Sequence, residues 1–285
     1  MPTAITREGF QFFSPLPSPD NILGESIYVD SDRISQSVKY INKNNIRNIT
    51  IAPASYKMDH LDFIRDTPEI TGVNLQKDFS DLACLYALKG LRVLRFREVN
   101  TPFDLALFPE LEVLSFTYSK KVQHTGACKN LTWLWIDGYK KDNLEELRDL
   151  SRLQYLNLYR SAILNLRGIE NMEELKEIML DGMRKLTSLE GLNKKLGKLA
   201  VLYIYGAKQL THYEALMDVP SLKQLELRQT GETPSIQFLD SLPALEKVTL
   251  GCKVTDGNMS FLKRIGNVGF IDYPHYTHKM KDFQP

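Results

Sequence analysis

Residues 131–139 read LTWLWIDGY. Both tryptophans of the chain, Trp133 and Trp135, stand here two positions apart. They interleave with Leu134 and Ile136, so large side chains fill both alternating sets of one short stretch. An extended strand sends alternate side chains to opposite faces. One set is therefore core and the other points away from it. The stretch alone does not say which is which.

The rest of the chain decides. Leu131, Leu134 and Ile136 form an apolar-x-x-apolar-x-apolar frame. Upstream the frame recurs as Leu111, Leu114, Phe116; Leu91, Leu94, Phe96; Ile70, Val73, Leu75; and Ile46, Ile49, Ile51. Downstream it recurs at Leu153, Leu156, Leu158; Leu175, Ile178, Leu180; and Leu199, Leu202, Ile204. Leu222, Leu225, Leu227; Leu245, Val248, Leu250; and Ile265, Val268, Phe270 complete eleven units, whose starts lie 20 to 24 residues apart. A second apolar set follows several frames, as at Ile163, Leu166, Ile169 and Met172, or Ile236, Leu239 and Leu242.

This pattern resembles the leucine-rich repeat family, with its core L-x-x-L-x-L and period of roughly 20–29 residues. The resemblance covers residues 46–270, and the short period is similar to that of bacterial or other cytoplasmic classes. It implies an α/β solenoid: a curved parallel sheet on the concave face, with short turns, loops or 3₁₀ segments on the convex face. It also implies a non-catalytic protein that binds a partner protein. The chain departs from the family at the ninth position, where Asn or Cys usually forms a ladder. Here that column reads Val99, Ser119, Tyr139, Ser161, Met183, Ala207, Thr230 and Lys253. Glycine stands one position earlier at Gly138, Gly182 and Gly206, which predicts a turn built on positive φ.

A repeat array needs covered ends. Residues 1–45 are expected to form an N-terminal cap, residues 46–270 the solenoid, and residues 271–285 a C-terminal cap or tail. Within the first segment, ESIYVD predicts a strand. Ser31 or Asp32 is expected to cap a helix with Ile34, Val38 and Ile41 on one face. The proline-rich FFSPLPSPD before it predicts a loop.

The frame turns the tryptophans outward. Trp133, Trp135 and Asp137 alternate with the core set, and so do Tyr155, Asn157 and Tyr159 in the next unit. Glu177, Met179 and Asp181 follow, then Val201, Tyr203 and Tyr205, then Gln224, Glu226 and Arg228. Aromatics on neighbouring strands can simply stabilise one another, at ~0.2–1 kcal/mol per pair. A solvent-facing patch of this size and composition instead points to an interaction surface. The expected partner contacts are Trp133, Trp135, Asp137, Tyr155, Tyr159, Glu177, Met179, Asp181, Tyr203, Tyr205, Glu226 and Arg228. Carboxylates beside aromatic faces suit a cation, so the partner is expected to present Lys or Arg to Trp135, Asp137, Tyr159 and Asp181. An inhibitor or a toxin-immunity protein fits this reading.

Other chemistries leave fainter traces. Lys120, Lys121, Lys140, Lys141, Arg184, Lys185 and Lys208 recur at the tenth or eleventh position, as a solvated rim or a basic lip for an acidic partner. The column breaks at Ala162, and Lys plus Arg total 36 against 35 for Asp plus Glu, which argues against nucleic acid and gives no case for a membrane surface. Asp137 and Asp181 could serve as an acid–base pair, or with the aromatics hold a sugar. Asp272, His275 and His278 form D-x-x-H-x-x-H, a sparse metal pattern, and neither a metal nor a cofactor is expected. Cys84, Cys128 and Cys252 are three and far apart, which excludes a disulfide framework. Cys128 falls among the inward apolar positions and is expected in the core. Cys252 is expected at an exposed turn beside Lys253. Without a basic-then-apolar N-terminus or an apolar run of ~18 residues, the expected location is cytoplasmic.

Overall fold

The computed structural model of the chain describes residues 3–14 and 24–283. Two compact units divide it, residues 1–135 and 136–285.

The first unit opens with strands β1 (Thr3–Arg7) and β2 (Phe10–Ser14), paired antiparallel. The linking residues Glu8 and Gly9 have φ of +48° and +80°. Two positive φ values in a two-residue loop match the right-handed twist of the strands it joins. Phe10 and Phe12 turn into the core while Gln11 faces solvent. Phe12–Ser14 of the expected proline-rich loop are thus strand, because alternation outweighs the prolines that follow. Residues 15–20 of that loop lie outside the described residues. β3 (Ser26–Tyr28) pairs antiparallel with β2 on one side and parallel with β4 (Asn48–Ile51) on the other.

Between β3 and β4 runs α1 (Ile34–Lys43), entered through a 3₁₀ turn at Ser31–Arg33. The cap is Asp30, whose carboxylate accepts from the Asp32 N–H at 2.9 Å, rather than Ser31 or Asp32. Asp30 is extended, the backbone state that lets a short side chain reach back to the turn's free N–H groups. Ile41 and Ser37 are buried, and Ile34 and Val38 are half-buried beside them.

The unit continues with β5 (Gly72–Leu75), β6 (Val93–Arg95), β7 (Phe103–Asp104), β8 (Val113–Thr117) and β9 (Val122–Gln123). β4, β5, β6 and β8 pair in parallel, while β7 and β9 form a separate two-stranded pair on the return path. β10 (Trp133–Asp137) carries the chain from the first unit into the second.

The second unit repeats one coil. Its strands are β11 (Tyr155–Tyr159), β12 (Glu177–Asp181), β13 (Val201–Tyr205), β14 (Gln224–Arg228), β15 (Lys247–Gly251) and β16 (Asn267–Phe270). Each pairs in parallel with the next, and frame positions align: Leu156 beside Ile178, Ile178 beside Leu202, Leu202 beside Leu225, Leu225 beside Val248. Across both units every frame residue is buried except Ile46, Val268 and Phe270, which are half-buried at the two ends of the array. The second apolar set is buried as well. Around Leu239 it rides on a 3₁₀ turn, Gln237–Ser241, whereas Ile163 to Met172 forms simple turns.

Gly138, Gly182 and Gly206 all have φ of +71°, as their spacing predicts. The same eighth position is left-handed in the intervening and following coils, at Arg160 (+48°) and Gln229 (+51°). Each turn sends its N–H to the carbonyl of the next strand's last residue: Gly138 to Tyr159, Arg160 to Asp181, Gly182 to Tyr205 and Gly206 to Arg228, at 2.7–3.0 Å. These backbone bonds take the place of a side-chain ladder. The ninth column is accordingly free to be apolar, and Tyr139, Met183 and Ala207 are buried there.

Candidate interaction surface

In the second unit, the face opposite the core is a grid fixed by strand register. One row runs Tyr155, Glu177, Val201, Gln224, Lys247. The next runs Asn157, Met179, Tyr203, Glu226, Thr249, and the third Tyr159, Asp181, Tyr205, Arg228, Gly251. Neighbours within a row are about 4.8 Å apart. Tyr159 is 36% exposed, Met179 40% and Tyr205 41%. Among the described residues, Tyr155, Tyr203 and Tyr205 stack on no other ring, so mutual aromatic packing does not account for them.

The carboxylates of this unit fall into two kinds. Asp137 is buried, and the Arg160 guanidinium grips it through Nε at 2.9 Å to Oδ1 and through a second bond to Oδ2. Arg160 also lies over the Tyr159 ring, 4.8 Å from its centroid, and the Asp137 carboxylate raises its pKa. Glu226 is closed in the same way. It accepts from Lys247 Nζ at 3.2 Å and Gln224 Nε2 at 3.2 Å, and pairs with Arg228 at 3.0 Å. Glu177 and Asp181 carry no side-chain hydrogen bond or ion pair among the described residues. Burial raises the Glu177 pKa, and the Glu226 and Glu177 charges add to burial in raising that of Tyr203.

The expectation that a partner's cation reaches Asp137 is therefore corrected, because the chain supplies its own. The left-handed backbone at position eight directs the Arg160 side chain back over the preceding strand. An arginine at a position held by glycine in the coils on either side, Gly138 and Gly182, was the sequence signal for it. The acid–base reading of Asp137 and Asp181 falls with the same bond, since Asp137 is neither open nor free.

In the first unit, Trp133 packs on buried Val93 and Val113, with the Arg95 guanidinium 5.7 Å from its ring centroid. Trp133 and Trp135 are both half-buried. Part of the Trp133 indole thus covers the sheet of its own unit.

No protein-family model matches the chain. Solved structures do. An internalin, inlF, from Listeria monocytogenes matches at 17% identity over 91% of this chain and 94% of its own, with a TM-score of 0.57. Toll, in its complex with Spatzle from Drosophila, matches at 13% identity over 81% of this chain and 36% of its own, TM-score 0.54. TLR13, in complex with ssRNA13, matches at 15% identity over 83% and 45%, TM-score 0.54. The fold is a leucine-rich repeat solenoid.

On that repeat the remaining candidates find ordinary places. Cys252 is buried, not exposed, and burial raises its thiol pKa. Cys128 is core, its thiol donating to the Leu105 carbonyl at 3.4 Å. The D-x-x-H-x-x-H residues turn apart: Asp272 accepts from the Met280 N–H, His275 Nε2 bonds the Val254 carbonyl at 2.9 Å, and His278 Nδ1 meets Thr277 Oγ1. No group of three metal-ligating side chains occurs among the described residues. The basic rim residues are exposed, and Lys141 faces Glu146 at 3.6 Å. No helix among the described residues is long and apolar enough to cross a membrane.

Proposed function

We propose that this leucine-rich repeat protein binds a partner protein, without catalysis, through the open sheet face of its second unit. Tyr155, Tyr159, Met179, Tyr203 and Tyr205 supply the apolar contact, and Glu177 and Asp181 the polar one. The observation that carries the reading is the clustering of Tyr159, Met179 and Tyr205. Of the large apolar side chains exposed among the described residues, these three stand on adjacent strands of one face. Singly exposed apolar residues need no explanation, but a contiguous group of aromatics and a methionine is the composition of an interface centre. A stoichiometric inhibitor, of which a toxin-immunity protein is one kind, works by covering a target in this manner, and the reading extends to that role. Toll, one of the structures it resembles, is seen in complex with Spatzle, which supports a protein as the kind of partner.

The test is affinity capture from the source organism with the wild-type chain and with Met179→Ala and Tyr205→Ala. A partner held stoichiometrically by the wild type and lost by both variants, with circular dichroism unchanged, is the expected result. Capture that is indifferent to both substitutions, or a ligand that proves to be RNA, overturns the assignment.

A further inference from the structure

The two open carboxylates have a geometry that specifies more than a sticky face. Both lie on β12, four residues apart, so their Cα atoms are separated by about 13 Å along the strand. Asp181 stands between Tyr159 and Tyr205, both exposed. Glu177 stands between Tyr155 and Val201, with Tyr203 close enough to feel its charge. Midway between the acids is Met179, exposed and flanked by Asn157 and Tyr203. The line reads acid, thioether, acid, with tyrosine beside each acid.

Contrast with the rest of the grid shows what is missing. Asp137 has Arg160, and Glu226 has Lys247 and Arg228. Arg160 lies against both a carboxylate and a tyrosine ring, so the chain itself displays the arrangement that a cation adopts on this surface. Glu177 beside Tyr155, and Asp181 beside Tyr205, have the carboxylate and the ring without the cation, while the Tyr159 ring is taken by Arg160. An ammonium or guanidinium placed there gains charge pairing and ring contact together.

We propose that the partner docks along β12 through a basic–apolar–basic segment, placing one Lys or Arg at Glu177, one at Asp181, and an apolar side chain over Met179. This inference rests on the protein-binding reading of the same face. An extended segment meets the spacing when its two basic residues are four apart and its apolar residue lies midway, all on one side.

The probe is a capped nine-residue peptide carrying Arg-Thr-Leu-Thr-Arg at its centre, titrated calorimetrically into the full chain at low ionic strength. Controls replace both arginines by glutamate, or bring them to adjacent positions at constant composition. The expected result is saturable binding of the first peptide only, weakened by added salt as exposed ion pairs are. Glu177→Gln and Asp181→Asn each weaken it about tenfold, the loss of one charge-assisted contact. Equal binding of the control peptides, insensitivity to both substitutions, or no binding at millimolar peptide overturns the proposal. The failure is distinguishable from failure of the broader reading. If the captured partner is lost by Met179→Ala and Tyr205→Ala but retained by Glu177→Gln and Asp181→Asn, the face binds protein and the two-cation geometry is wrong.

Discussion

Glu177 pays for its position in stability. Its carboxylate is half-buried with no compensating partner, and burial raises its pKa above the unfolded value. The folded state therefore holds the proton more tightly than the unfolded one. Stability falls as pH rises from the unfolded pKa through the folded pKa, the opposite of the usual salt-bridged carboxylate. Glu177→Gln is expected to raise the melting temperature at pH 7 and to make no difference below pH ~3, where both states are protonated. A scan of both proteins across that range checks the sign. Arg160 behaves in the reverse sense. Arg160→Ala leaves Asp137 buried beside no cation and is expected to lower the melting temperature by several degrees, with Asp137→Asn in the same background restoring most of the loss. If the double variant melts no higher than the single one, the pair is not what holds Asp137 in place.

At the scale of the coil, the glycines sort by what surrounds them. Gly182 and Gly206 have φ of +71°, and a Cβ on either would stand 3.3 Å from the neighbouring coil's backbone. Alanine at either is expected to cost about 1 kcal/mol, the ordinary penalty for a left-handed L-residue. Gly168 is different. Its φ is +111°, and a Cβ would stand 2.3 Å from the backbone carbonyl of Leu144, which cannot move without displacing a coil. Gly168→Ala is expected to destabilise well beyond Gly206→Ala, and urea titration of the two ranks them. The frame itself was legible because burial demands apolar side chains at fixed intervals, and Ile178 or Leu202 could sit nowhere else. The Glu8–Gly9 hairpin was not, since Phe12 and Phe13 lead into a proline-rich run and the partner strand is only five residues long. Alternation puts Asp137 on the outward set, yet its side chain is buried. Its closure by Arg160 depends on a backbone conformation that residue type alone disfavours, which is why the sequence showed an open acid.

For the whole molecule, a repeat array transmits stability only between neighbours, so its ends decide where it opens. At the C-terminal end of the second unit, Tyr276 is buried and its hydroxyl accepts from the Val254 N–H at 2.8 Å. Arg264 donates to the Leu239 and Leu242 carbonyls, tying one 3₁₀ turn to the coil before it. Tyr276→Phe leaves the Val254 N–H without its acceptor, at a cost of roughly 1–3 kcal/mol. Hydrogen exchange is expected to accelerate first in β15 and β16, with β11 and β12 still protected. Uniform acceleration across the second unit contradicts neighbour-only coupling. The repeat count and the direction of the open face were readable from periodicity. The partition of the face into self-satisfied and open carboxylates was not, because pairing depends on which cations the turns bring alongside.

The left-handed residue that follows each strand from β10 to β14 makes the coil a transferable module. From Gly138 through Arg160, Gly182 and Gly206 to Gln229, the backbone returns to the same conformation after each period. Cutting after one such residue and rejoining after the next would bring together ends of matching direction, with apolar residues continuing into the core. Removing residues 183–206 would join Gly182 to Ala207 and set β14 beside β12. The shortened chain would keep a continuous core while Met179 lay next to Glu226 and its lysine and arginine. Loss or gain of a whole coil would thus rearrange the open face in one step while the core stays continuous.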